Sequence, residues 1–240
     1  MHINRYLSIL TIFLVVASPL LCTAGSQETL RSGEQIVTKE RQQSLSPQEI
    51  IERFKEGNRR FLSGKTIGHN YLRQMSKTSS AQFPPAIVLS CIDSRVSPEI
   101  VFDLGLGDIF DARVAGNIVN KDIAGSMEYA CKVTGSKVVL VMGHTGCGAI
   151  KGAVDGVELG NLTGLLAKLK PAVDAVGNIT GERTSKNKKL VDAAARENIQ
   201  LTVKKIRSIS PLLHKMEQEK KILITGCLYD VRSGLVEFLE

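Results

Sequence analysis

Two short runs of the sequence are almost wholly apolar, and they constrain the fold more than any other feature. Residues 86–90 read Ala-Ile-Val-Leu-Ser, and residues 137–142 read Lys-Val-Val-Leu-Val-Met. A strand with one solvent-exposed face alternates apolar and polar residues. Continuous apolar runs therefore predict strands that are buried on both faces. Further strands are predicted at 108–114 and 221–225, with an edge strand at 235–239.

Helical patterns separate these strands. Ser46-Pro47-Gln48-Glu49 is a capping box that begins a helix reaching residue 63. Other helices are predicted at 123–133, 146–154, 162–176 and 190–209, and Pro171 must kink or divide the third of these four. The alternation predicts an α/β domain with a mainly parallel central sheet, an antiparallel edge strand and helices on both faces. The polar segment 64–83 is predicted to be a loop.

Length and charge limit the classes of function. The chain has 240 residues, of which 43% are hydrophobic and 23% charged, as in an ordinary soluble protein. A single domain over residues 46–240 is therefore expected. The formal charge is +7, but the basic residues are dispersed and there is no Trp. A nucleic-acid partner is not expected, because such proteins carry a concentrated basic patch or aromatic stacking residues.

The amino terminus has the pattern of a secretory signal peptide over residues 1–24. A weakly positive start is followed by an apolar stretch at 7–21 and by small residues ending at Ala24. This predicts a periplasmic or secreted protein without a stable membrane span after processing. The alternatives are an uncleaved anchor and lipoprotein processing at Cys22, before which Leu21 is bulky where a small residue is required. Residues 25–45 are predicted to be a flexible lead-in.

Two groups of reactive residues follow the two apolar strands. The first strand leads into Cys91-Ile-Asp93-Ser-Arg95, and the second leads into His144-Thr-Gly-Cys147. Sites in open α/β sheets form at the carboxyl ends of strands, so these residues are predicted to meet. Two thiolates and one imidazole suit a tetrahedral Zn²⁺ with one open position, which is the arrangement of catalytic zinc.

Other interpretations of the cysteines stay open at this stage. Cys91 and Cys147 could form a disulfide, because an exported protein meets an oxidising compartment. Cys131 or Cys227 could supply a fourth ligand, but their apolar surroundings favour packing roles. Asp93 and Arg95 could be a surface ion pair. Beside Cys91, however, Asp93 is predicted to orient a reacting water, with Arg95 holding it off the metal.

The combined motifs resemble those of the β-class carbonic anhydrases. The resemblance rests on Cys91-x-Asp93-x-Arg95 and His144-x-x-Cys147, and it extends to Arg113-Val-Ala-Gly-Asn and Tyr229-Asp-Val-Arg-Ser-Gly. It implies that Cys91, His144 and Cys147 bind zinc and that Asp93 and Arg95 are the catalytic pair. It also implies an N-terminal helical arm and a homodimer or a larger homo-oligomer built from dimers.

The activity that the resemblance implies is the reversible hydration of carbon dioxide to bicarbonate and a proton. Zinc lowers the pKa of a water molecule to supply hydroxide, which attacks the carbon. Asp93 is a possible fourth zinc ligand in a closed state, if its contact with Arg95 breaks. Two alternatives are a carbon disulfide or carbonyl sulfide hydrolase on the same scaffold and a noncatalytic zinc-binding protein.

Overall fold

A five-stranded sheet lies at the centre of the fold. The computed structural model describes residues 33–239. The sheet order is β2-β1-β3-β4-β5. The strands are β1 (Ala86–Ser90), β2 (Ile109–Arg113), β3 (Val138–His144), β4 (Leu223–Tyr229) and β5 (Val236–Leu239). Strands β1 to β4 pair in parallel, and β5 pairs antiparallel with β4. The predicted mainly parallel sheet with an antiparallel edge strand is confirmed.

Helices connect the strands and cover the sheet. They are α1 (Lys39–Ser44), α2 (Pro47–Ser63), α3 (Tyr71–Thr78), α4 (Pro98–Val101), α5 (Lys121–Glu128), α6 (Gly148–Asp155), α7 (Gly160–Ala167), α8 (Lys170–Ala175), α9 (Lys188–Ile209) and α10 (Pro211–Gln218). A π-helical turn, Tyr129–Val133, continues α5, and a 3₁₀ turn, Ala115–Asn117, follows β2. Pro171 lies in the first turn of α8, so the predicted segment 162–176 is divided rather than kinked.

The two faces of the sheet pack against different helices, which explains the apolar runs. Val88 of β1 faces a core that contains Phe54 of α2. Its neighbours Ile87 and Leu89 face the other side, where Ile199 of α9 is buried. Because successive side chains of a strand point to opposite faces, a strand covered on both sides must be apolar throughout.

The first long helix packs on the core of its own chain. Its capping box is formed, since Ser46 Oγ accepts from the Glu49 N–H at 3.2 Å and Glu49 Oε2 accepts from the Ser46 N–H at 2.7 Å. Phe54 stacks on Phe102 with ring centroids 4.8 Å apart. Asn58 donates to the carbonyl of Gly234 at 2.9 Å and so connects α2 to the turn before β5.

Part of the segment predicted as a flexible lead-in, residues 25–45, is helical. Helix α1 occupies Lys39–Ser44, and its N-cap is Thr38. Gln42 is buried, and its amide donates to the carbonyls of Pro84 and Thr134, each at 2.9 Å. These bonds attach the helix to Pro84, shortly before β1, and to Thr134, directly after the π-helical turn. A buried glutamine gives no apolar periodicity, so the sequence pattern did not indicate this helix.

The predicted loop at 64–83 contains helix α3, which the sequence pattern missed for the same reason as α1. Asn70 caps the helix by accepting from the Arg73 N–H at 3.1 Å. Gln74 is buried, donating to the carbonyl of Gly33 at 3.1 Å and accepting from the Leu106 N–H at 3.0 Å. The polar side chain therefore does the anchoring that an apolar residue would do in an amphipathic helix.

The predicted signal peptide, residues 1–24, lies outside the described residues and stays a prediction, together with the periplasmic or secreted location. Within residues 33–239, no helix is long and apolar enough to cross a membrane.

Candidate metal centre

The carboxyl ends of β1 and β3 bring the predicted ligands together. Cys91 directly follows β1, His144 ends β3, and Cys147 is the N-cap residue of α6. The two strands are adjacent and parallel, with Ser90 paired to Met142. One ligand atom from each of Cys91, His144 and Cys147 lies within 4.8 Å of the others, and all three residues are buried. The predicted convergence is confirmed.

The two sulfur atoms have the spacing of a shared ligand site. Cys91 Sγ and Cys147 Sγ are 4.0 Å apart, and both cysteines are free. A disulfide would hold its sulfurs about 2.05 Å apart. Two sulfurs that are each about 2.3 Å from a tetrahedral metal lie roughly 3.8 Å apart. The spacing therefore fits two ligands of one metal ion and is too long for a cystine.

The contact between the two thiols shifts their pKa values in opposite directions. The hydrogen bond from Cys147 lowers the pKa of the Cys91 thiol, and the Gly116 N–H, whose nitrogen is 3.3 Å from Sγ, lowers it further. The same hydrogen bond and burial raise the pKa of Cys147. A second thiolate beside the first is costly unless a cation neutralises the pair.

The imidazole of His144 directs the lone pair of Nε2 toward the two sulfur atoms. Its Nδ1 is 3.0 Å from the carbonyl oxygen of Thr145, and a carbonyl only accepts, so Nδ1 carries the proton. Its Nε2 is buried and has no hydrogen-bond partner among the described residues. A buried nitrogen without a partner is costly, and this one lies with two sulfurs. The donor set and its unpartnered nitrogen fit Zn²⁺, which binds thiolates and neutral imidazole.

Asp93 and Arg95 form a tight pair at the edge of this centre. Arg95 donates to Asp93 through Nε at 2.9 Å, through Nη2 at 2.8 Å and through its backbone N–H at 3.0 Å. These bonds hold the pKa of the Asp93 carboxyl well below its usual range. Asp93 Oδ2 is 3.9 Å from His144 Nε2. The Asp93 side chain is 16% exposed and that of Arg95 is 55% exposed, so the pair lies between the buried ligands and solvent.

Arg113 fixes the segment that carries Cys91 and Asp93. Its Nε donates to the Cys91 carbonyl at 3.1 Å, and its Nη2 donates to the Asp93 carbonyl at 2.9 Å. The sequence placed Arg113 in a motif but gave it no role. Only the motif could have indicated this role in the sequence. A contact between two adjacent strands leaves no periodic pattern of residues.

The segment between His144 and Cys147, called the metal loop here (residues 144–147), is held by two aspartates. Thr145 Oγ donates to Asp230 at 2.9 Å, and the Gly146 N–H donates to Asp192 at 2.8 Å. Hydrogen bonds from the backbone and side chain of Arg232 help to lower the pKa of Asp230 to about 2. Asp192 was not singled out from the sequence, where it is one acidic residue in a long amphipathic helix.

The other two cysteines lie apart from the centre. Cys131 packs in the core on the α9 side of the sheet, and Cys227 packs in the core on the α2 side. Burial raises the pKa of the Cys131 thiol to about 12. Neither belongs to the three-residue ligand group, in agreement with packing roles.

Comparisons with known proteins agree with this geometry. A family model described as carbonic anhydrase matches residues 86–236. Carbonic anhydrase 2 of Mycobacterium tuberculosis is 30% identical over 192 residues, covering 75% of this chain and 87% of that protein. A Coccomyxa beta-carbonic anhydrase solved with acetazolamide has a TM-score of 0.62 and 26% identity, covering 68% of this chain and 75% of the other. A tetrameric beta-carbonic anhydrase from Sordaria macrospora has the same fold, with a TM-score of 0.61 and 24% identity over 79% of this chain and 96% of the other.

Proposed function

This chain belongs to the β-class carbonic anhydrase family, and on that premise we propose that it catalyses the reversible hydration of carbon dioxide with Zn²⁺ as its cofactor. Water and carbon dioxide give bicarbonate and one proton. The observation that carries the proposal is the buried group of Cys91, His144 and Cys147, with His144 Nε2 unpartnered among the described residues, next to the Asp93–Arg95 pair. When bound, zinc acts as a Lewis acid and makes water nucleophilic near neutral pH.

Each residue of the centre has a chemical task under this proposal. The two thiolates and the imidazole would hold the ion, and a site with three protein ligands would keep a place for water. Asp93 is ionised and accepts a hydrogen bond from the nucleophilic water, which orients the water toward the carbon. Arg95 binds both carboxylate oxygens and keeps Asp93 from turning toward the ligand group. The bidentate geometry makes this restraint directional.

Stopped-flow measurements on the purified, zinc-loaded full chain test the proposal. We expect hydration of carbon dioxide well above the buffer rate, detected with a pH indicator. The same protein is also given carbonyl sulfide and carbon disulfide. Faster turnover of either sulfur compound would favour the hydrolase alternative. One bound zinc per chain without turnover of any of the three would indicate a noncatalytic zinc protein.

We expect kcat/KM for hydration to rise between pH 6 and pH 9. Two thiolates offset the charge of Zn²⁺, so the nucleophilic water has a pKa above the value of about 7 found with three histidines. Titration of the Asp93 carboxyl does not produce this rise, because its pKa lies below the usual carboxyl range and it stays ionised between pH 6 and pH 9. Rates are measured with the zinc content determined at each pH. A flat profile with zinc fully bound would contradict the expectation.

We also propose that the chain functions as a homodimer or a larger homo-oligomer. The related Sordaria macrospora enzymes are tetrameric. In the described sheet β2 is an edge strand, and its residue Phe110 packs edge-on against Tyr129, which is half exposed. An unpaired edge beside exposed aromatic surface is a suitable place for a second copy. Sedimentation equilibrium of the purified protein should give at least twice the monomer mass, and a monomer at all concentrations would contradict the proposal.

A further inference from the structure

Asp192 of α9 reaches the metal loop from a distant part of the chain. Its Oδ1 accepts from the Gly146 N–H at 2.8 Å, across 46 positions of sequence. Gly146 lies between two residues of the ligand group, His144 and Cys147. Asp192 therefore binds the backbone between two candidate ligands.

The peptide unit that Asp192 binds also binds His144. The Gly146 N–H and the Thr145 carbonyl belong to one peptide group, and the described backbone contains no cis peptide bond. In a trans peptide the N–H and C=O point in opposite directions. The N–H points to Asp192, and the carbonyl oxygen lies 3.0 Å from His144 Nδ1. The carboxylate, the peptide and the imidazole thus form one continuous line of hydrogen bonds.

Asp192 is itself held in place. Arg232 Nη2 donates to Asp192 Oδ2 at 3.3 Å, while Arg232 Nε donates to Asp230 Oδ1 at 3.0 Å. Asp230 Oδ1 also accepts from the Thr145 hydroxyl at 2.9 Å. Arg232 therefore joins the two aspartates that hold the metal loop.

The contact is not needed to attach α9 to the rest of the fold. That helix has nine buried residues, among them Ile199, which packs in the core beneath the sheet. Asn198 of the same helix donates to the Gly116 carbonyl at 2.8 Å. The bond from Gly146 to Asp192 therefore adds little to the packing of α9, and its main effect is on the orientation of one peptide group in the metal loop.

We propose that Asp192 is a positioning residue for His144 and acts through the Thr145–Gly146 peptide. Histidines that bind metals commonly donate their second ring N–H to a carboxylate or carbonyl, which fixes the tautomer and the ring orientation. Here a carboxylate acts through a carbonyl, and the charge on Asp192 polarises the peptide so that its oxygen accepts more strongly from Nδ1. The proposal rests on the proposed zinc site but not on the reaction that the site performs.

Asp192→Ala, Asp192→Asn and the control Glu197→Ala test this role in the full chain. The control removes a carboxylate from the same helix, and the structure shows no bond between Glu197 and the metal loop. Two properties are measured: the rate of zinc transfer to a chromophoric chelator and the ligand-field spectrum of the cobalt-substituted protein. We expect Asp192→Ala to release zinc about 10 to 100 times faster than wild type and to shift the cobalt spectrum.

Asp192→Asn should lie between Asp192→Ala and wild type, because an amide oxygen still accepts from Gly146 but carries no charge. Glu197→Ala should match wild type. Wild-type release rates and cobalt spectra in both Asp192 variants would overturn the proposal. Faster release with an unchanged cobalt spectrum would also overturn it, since His144 would then keep its position.

If Asp192→Ala does not fold, the isosteric Asp192→Asn decides alone. Neither readout involves carbon dioxide. A wild-type protein that binds zinc but hydrates no carbon dioxide would contradict the proposed function and leave this test valid.

Discussion

Cys147→Ala should lose its bound zinc and its carbon dioxide hydration together. The variant leaves one thiolate and one imidazole, and two ligands do not hold Zn²⁺ in a site built for three. A Lewis acid lowers the activation free energy by several kcal/mol. Without zinc we therefore expect the hydration rate to fall by at least about 10⁴-fold. Metal analysis of the purified variant and stopped-flow kinetics measure the two losses.

Cys131→Ala is the matched control for this experiment. Both substitutions remove a buried thiol, but Cys131 packs in the core and lies outside the ligand group. The control should keep one zinc per chain and wild-type hydration, with only a modest decrease in the free energy of unfolding. Equal loss of zinc in the two variants would show that general destabilisation, and not the loss of a ligand, removes the metal.

Asp93→Asn should retain zinc but lose most of its turnover. Asparagine has the shape of aspartate, but it is uncharged and binds the Arg95 guanidinium more weakly. Groups that orient or accept a proton commonly contribute about 10²–10⁴-fold, and we expect kcat/KM to fall by that factor. Stopped-flow hydration combined with metal analysis separates this effect from the loss of a ligand.

Arg95→Ala should impair turnover by a similar factor through a different route. Without the guanidinium, the Asp93 carboxylate is free to turn, and its Oδ2 already lies 3.9 Å from His144 Nε2. With zinc bound, the carboxylate could then turn onto the metal and exclude the nucleophilic water. Arg59→Ala is the control, because Arg59 makes an exposed ion pair with Glu56 far from the centre in sequence. Wild-type hydration in Asp93→Asn or Arg95→Ala would contradict the assignment of the pair.

The parts of the fold that the sequence predicted follow from local physical rules. Strands β1 and β3 are apolar because both of their faces are covered, so their patterns were unambiguous. The ligand residues come directly after these strands, and parallel neighbours end at the same edge of a sheet. Strand prediction was therefore enough to bring Cys91 close to His144.

The parts that the sequence missed depend on polar side chains with distant partners. Gln42 and Gln74 anchor α1 and α3 by hydrogen bonds to backbone groups 32 to 92 positions away. Asp192 reaches Gly146 across 46 positions. The sequence does not distinguish a buried polar residue from an exposed one. Only the folded chain shows which backbone groups form hydrogen bonds with its side chain. Hydrophobic periodicity contains no information about such contacts.

We propose that one zinc, held by Cys91, His144 and Cys147, makes this chain a carbon dioxide hydratase. Titrating zinc into the metal-free full chain, with bound zinc and stopped-flow hydration measured on the same samples, tests it most directly. We expect hydration to rise in proportion to bound zinc and to stop rising at one zinc per chain. Hydration by the metal-free protein, or no hydration at one bound zinc per chain, would contradict it.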